Sequence, residues 1–153
     1  MDGRYPYGLF FALTNCNDPA NEEEFNSWYS HKHLPDVTGP GVWRHASRYV
    51  NTDPSPDNGK FLALYETYWD DVAAARNEMM QTDARVRELG RHSPHIRSVL
   101  VTTFKRLGGE FHAANRPVRG ILAVLTNLKD PAREEEFYRW YTDVHITEIV
   151  VTG

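Results

Sequence analysis

Between positions 7 and 15 the chain reads YGLFFALTN, an almost unbroken aliphatic and aromatic run that stops at Asn15 in a polar turn, the pattern of a buried strand. Asp18-Pro19 follows as a helix cap with proline at the first helical position, and Glu22, Glu23 and Glu24 lie near the positive end of the helix dipole. The spacing predicts one helix over about 19–37, ended by the Gly39-Pro40-Gly41 cluster. Alternation then predicts strands over 42–51 and 60–68, separated by a loop rich in Pro, Asp and Asn. An acidic cap and strong helix formers predict a second helix over 70–89, closed at Gly90, and 96–106 reads as a fourth strand. Strand, helix, strand, strand, helix, strand is the split βαββαβ order of an antiparallel sheet with two helices on one face.

The pattern then starts again. Residues 8–41 recur as 120–153 at a constant offset, with 15 of 34 aligned positions identical, and His33 returns as His145. Three segments are expected: residues 1–107 as a ferredoxin-like α+β domain, 108–117 as a linker, and 118–153 as the start of a second, incomplete unit with a strand at 118–127 and a helix at about 131–150. Such a partial unit has no core of its own, so it is expected to belong to a truncated form or to dock on a partner surface; the alternative is that it extends the first sheet.

Charge and composition narrow the partners. A net charge of −4 with no lysine-arginine run disfavours nucleic acid. No apolar stretch reaches the roughly 18–20 residues that span a bilayer, and residues 1–7 do not read as a secretory signal. Cys16 is the sole cysteine and its repeat counterpart is Leu128, which argues against an essential thiol and for a reducing, cytoplasmic location.

Candidate chemistry gathers on the repeated helix. Phe25, Trp28, Tyr29, His33 and Asp36 recur as Phe137, Trp140, Tyr141, His145 and Glu148, so a phenol, an imidazole and an acid can share one ridge. An imidazole is suited to moving a proton near neutral pH, and a carboxylate beside it would fix its tautomer. The competing explanation is that the aromatic residues are core and the histidine only pins the helix end. Metal binding is not expected, because His31 and His33 point about 200° apart on a helix and His92 and His95 sit in a turn without an acid or thiol. No phosphate loop, serine elbow or cysteine-histidine pattern occurs, so no cofactor is expected.

The runs FNSWYSHKHLPDVTGPGVWRHASRY and FYRWYTDVHITEI resemble the helix and following strand of the EthD-like family, within the dimeric α+β-barrel superfamily. That resemblance implies two βαββαβ sheets packed face to face as a homodimer or higher homo-oligomer, with a small-molecule cavity in each half and cofactor-free isomerase, cyclase, dehydratase or oxygenase chemistry on an apolar, aromatic or polyketide-like molecule. It points to a pocket walled by the second strand, with His45, Ser47 and Tyr49 on one alternation set and Arg44 and Arg48 on the other; a slip of one residue inverts the choice. Glu66, inside an apolar run, needs a partner such as Arg48 or serves as a second acid or base. Trp43, Tyr65 and Tyr68 are read as core or as an aromatic pocket. The expected mechanism has His33 moving a proton, Asp36 orienting it and Tyr29 donating to a developing oxyanion, with Trp28, Trp43, His45, Arg48, Tyr65 and Glu66 around the ligand. His145 is expected to be a structural echo. The rival functions are a non-catalytic carrier of a hydrophobic ligand and a purely structural oligomerisation module.

Overall fold

A computed structural model describes residues 4–55, 58–107 and 120–151. Residues 4–106 form one compact unit, and residues 120–151 belong to a second.

The first unit is an α+β fold of ferredoxin-like type. Four strands, β1 (Gly8–Cys16), β2 (Trp43–Val50), β3 (Phe61–Thr67) and β4 (Ile96–Lys105), form a sheet in the order β2-β3-β1-β4. Each neighbouring pair is antiparallel. The apolar run of β1 fits its central place, between β3 and β4 with neither edge free, where most of its residues are buried and the rest only partly exposed. Two bulges break the ladders, one opposite Leu13/Thr14 and one between Trp43 and His45.

The expected single helix at 19–37 is instead four short pieces. A 3-10 turn (Pro19–Asn21), capped by Asp18, leads into α1 (Glu22–Trp28); a π-helical turn (Tyr29–His33) follows, and α2 (Leu34–Thr38) completes the segment. The wide turn is closed by the Leu34 N–H donating to the Tyr29 carbonyl, five residues back. Pro35 is not its cause, because the equivalent turn in the repeat forms with Thr147 at that position. The long helix α3 (Val72–Glu88) is capped by Asp71, whose side chain accepts from the Ala74 N–H.

The helices cover one face of the sheet. Phe10, Ala12, Phe61, Ala63 and Tyr65 on that face meet Phe25, Trp28, Tyr29, Val37 and Met79 in a single aromatic-rich core. Phe25 is completely buried, within 6 Å of the Tyr29 and Phe61 rings, so truncating it to alanine removes about 3–5 kcal/mol of stability. Leu9, Phe11, Leu13, Leu62 and Leu64 alternate onto the opposite face and lie outside this core cluster.

In the second unit a 3-10 turn (Pro131–Arg133), α4 (Glu134–Trp140), a π-turn (Tyr141–His145) and α5 (Ile146–Val151) repeat the helical elements that follow β1, each starting 112 positions later. The strand expected at 118–127 does not form over its described part, 120–127. The reason is pairing: β1 exists as a strand between β3 and β4, and the described second unit holds no strand to bond to. The linker expected at 108–117 lies outside the described residues.

Candidate functional site

The π-turn decides what His33 touches. Five residues apart on a regular α-helix, Trp28 and His33 would point about 140° away from each other. The wider turn brings them into register, and the two rings stack with centroids 4.9 Å apart. The same stack, also 4.9 Å, joins Trp140 to His145. Tyr29 meets the imidazole edge-on at 4.8 Å and lies 5.5 Å from Trp28, so the three rings form a compact triangle.

His33, Tyr29 and Tyr65 line a cavity of about 240 Å³ between the helices and the sheet, with Val37, Phe10 and Met79 among its apolar walls. It opens where α3 passes the β4 edge, at the exposed Met80, Arg87, Ser98 and Val101. The walls are mostly apolar with a few convergent polar atoms, the ordinary makeup of a small-molecule site.

Those polar atoms have distinct states. His33 is 8% exposed, and its Nδ1 is buried without a hydrogen-bond partner among the described residues. Burial lowers its pKa from 6.5 to about 4, with Asp83 opposing and His92 reinforcing the shift, so the ring is neutral at physiological pH. Tyr65 donates to the Tyr29 hydroxyl at 3.3 Å, which leaves the Tyr29 proton to be given onward. Burial raises both phenol pKa values, Tyr65 well above the ordinary range, so both remain donors. On Tyr29 that rise is held back by the Tyr65 hydrogen bond and by the Arg48 guanidinium, which lies 4.4 Å over the phenol ring.

Several residues expected around the ligand are elsewhere. The Asp36 carboxylate does not orient His33: Arg91 takes both its oxygens at 2.9 and 2.7 Å. The charged neighbour that acts most on His33 is Asp83, on α3. Arg48 is on the helix side but outside the cavity lining, hydrogen-bonded to Asn26 and Ser30 and stacked on Tyr29. Trp43 is core, its indole N–H donating to the Ala75 carbonyl. Trp28 backs His33 and donates to the Arg91 carbonyl at 2.8 Å.

His45 and Glu66 pair across the β2–β3 ladder and face away from the cavity. The bulge at Arg44 is responsible, because it puts Trp43 on the same face as Ala46 and Arg48 and turns His45 to the other. Glu66 is buried, and its expected mate Arg48 is replaced by Arg4, which binds both carboxylate oxygens at 2.9 and 3.0 Å. Burial alone would raise the Glu66 pKa, but the net shift is downward, with the hydrogen bonds and charge of the Arg4 guanidinium among the effects that hold the carboxyl below its ordinary value.

Asp83, His92, Met79 and Thr14 also line the cavity and escaped sequence reasoning. A signal existed for two of them: Met79 and Asp83 are four apart on α3, hence on one face. His92, in the turn after α3, carries no such periodic signal. Among the described residues no group of three or more His, Cys, Asp or Glu is arranged to hold a metal ion, and no helix is long and apolar enough to cross a membrane.

The repeat does not reproduce this environment. Its helical segments bury none of their described residues within the second unit, and Trp140 is 47% exposed where Trp28 is 9%.

No family model matches the chain. Over 59 residues it is 44% identical to core atranone cluster protein 1 of Stachybotrys chlorohalonatus, a match covering 38% of this chain and 25% of the relative. The chain thus spans about a quarter of that relative's length. Among solved structures, HapK from Hahella chejuensis superposes with a TM-score of 0.50 at 14% identity, covering 70% of this chain and 99% of that one. A dimeric ferredoxin-like protein of unknown function from Thermobifida fusca gives a TM-score of 0.39 at 15% identity, over 65% of this chain and 90% of the other. At such identity the likeness to HapK speaks for the fold and for nothing finer.

Proposed function

We propose that the cavity binds a small, largely apolar molecule and moves a proton on it without a bound cofactor, with His33 as the base and Tyr29 as the donor to the oxygen on which charge develops. The observation that carries this reading is that His33, a buried ring whose Nδ1 has no hydrogen-bond partner among the described residues, lines the same cavity as Tyr29, whose hydroxyl proton is left to give. A buried polar atom without a partner is costly, and a ligand's proton would satisfy it. The neutral ring accepts that proton; the Tyr65–Tyr29 pair, polarised by Arg48, answers the charge left behind. Isomerisation, cyclisation, dehydration and cofactor-free oxygenation all share this first step.

Two further observations lend support. The runs around Trp28 and Trp140 resemble the EthD-like family, and a relative's name ties it to an atranone cluster, a secondary-metabolite setting in which a small-molecule enzyme or binder fits. On the same resemblance the chain is proposed to form a homodimer, whose mass in solution is measurable by light scattering.

The chemistry is testable without the natural ligand. In 5-nitrobenzisoxazole, a planar apolar probe, removal of a ring C–H proton opens the N–O bond and releases a coloured phenolate. Saturable ring opening by the protein, reduced about 100-fold in His33→Gln, is expected. Equal rates in the two proteins with the probe bound to both would leave the site a carrier.

A further inference from the structure

A second imidazole faces His33 at the mouth of the cavity. His92 lies in the turn after α3, its ring 6.4 Å from that of His33 and edge-on to it, and its side chain is 13% exposed. Both rings line the same cavity. Its Nδ1 is 3.1 Å from the Ser93 carbonyl oxygen, an atom that only accepts, so Nδ1 carries the proton and Nε2 is the basic atom of the neutral ring. Nε2 in turn lies 3.7 Å from the Asp83 carboxylate.

The turn that holds His92 is itself held. Trp28 donates to the Arg91 carbonyl, the Arg91 guanidinium grips Asp36, and the Asn17 amide donates to the Pro94 carbonyl at 2.9 Å. Asp83 is anchored by Arg87 at 2.8 Å. His33, by contrast, is nearly closed off by the rings of Trp28 and Tyr29, and a proton it takes up needs a way out.

We propose that His92, backed by Asp83, is the relay and positioning residue of the cavity: at a ring separation of 6.4 Å it accepts on Nε2, through one water molecule in the cavity, the proton that His33 removes from a ligand, becomes an imidazolium beside the Asp83 carboxylate, and releases the proton to water. This rests on the reading of His33 as a base. The balance is simple: His33 returns to the neutral ring, His92 gains one proton and loses it to solvent, and no electrons change hands. The charged and titratable groups that bear on His92 are Asp83 and Arg87 from α3 and His33 from the π-turn. Burial and Arg87 depress its pKa, while Asp83 and the Ser93 carbonyl favour the charged ring.

The test is a pH titration of the histidine ring carbon resonances in the wild type, His92→Gln and Asp83→Asn, alongside the pH–rate profile for 5-nitrobenzisoxazole. In the wild type His92 is expected to protonate before His33. In His92→Gln the midpoint of His33 rises by about half a pH unit, the effect of removing one positive charge at this separation under water-like screening, and the acidic limb of the rate profile moves with it. In Asp83→Asn both midpoints fall. A His33 midpoint and rate profile unchanged in His92→Gln, with near-ultraviolet circular dichroism intact, overturns the relay alone. A probe reaction that ignores His33→Gln removes the base, and the relay with it.

Discussion

Acid exposes the cost of burying His33. In the unfolded chain its imidazole titrates near 6.5, and in the folded protein at about 4, chiefly because burial disfavours the charged ring. Between these values the unfolded chain binds the proton and the folded one does not, so stability falls as pH drops from 6.5 towards 4 and levels off below, where both states are protonated. At 1.36 kcal/mol per pH unit the full effect is about 3 kcal/mol, a large part of the stability of a small domain. Other groups titrate nearby. His92 is also depressed and loses stability in the same direction, and Glu66, held low by Arg4, withdraws its contribution at more acid pH. The informative quantity is therefore a difference: urea unfolding of the wild type and of His33→Gln, each at pH 7.5 and pH 4. The wild type is expected to lose about 3 kcal/mol more than the variant over that interval. Parallel losses, or a His33 ring resonance titrating near 6.5 in the folded protein, would refute the burial argument.

Replacing Tyr29 by phenylalanine should leave the fold standing and slow ring opening of 5-nitrobenzisoxazole about 10- to 100-fold, because the donor to the leaving oxygen is gone while His33 stays in place. Arg48→Met removes the cation over the Tyr29 ring and the hydrogen bonds to Asn26 and Ser30. We expect a loss of about 1–2 kcal/mol in urea unfolding and a higher Tyr29 pKa, seen as delayed ionisation in ultraviolet absorbance; an unchanged ionisation would show that the guanidinium does not act on the phenol. Arg4→Ala takes the bidentate partner from the buried Glu66 and should destabilise the unit by about 2 kcal/mol at neutral pH, with the deficit shrinking as acid protonates Glu66.

Which residues share a face followed from periodicity only where the ladder or helix stayed regular. Phe25 and Tyr29 are four apart within an intact turn, and both are buried as their spacing implies. The π-turn then changes the phase, so that His33 falls over Trp28 while Asp36, read as its orienting acid, belongs to Arg91. A single extra residue in the bulge at Arg44 did the same to β2, sending Arg48 towards Tyr29 and His45 away from the cavity. The bulge has no compositional mark, because it is set by the pairing with the neighbouring strand; the π-turn recurs in the second unit, where none of its residues is buried, so it belongs to the local sequence but breaks the 3.6-residue period by which faces are read.

The sequence by itself determined the element order, the antiparallel α+β class and the repeated aromatic-histidine helix, since each rests on local caps, turn residues and period. It determined the burial of Glu66 as well, from an apolar run that leaves a carboxylate nowhere else to go. Only the tertiary structure chose its partner, Arg4 from 62 positions away, and only the tertiary structure brought Asp83 and His92 to the mouth of the cavity beside His33. The same holds for the repeat. The helix reforms at Pro131–Val151 because its hydrogen bonds are internal, but residues 120–127 form no strand, because a strand's hydrogen bonds belong to its neighbours.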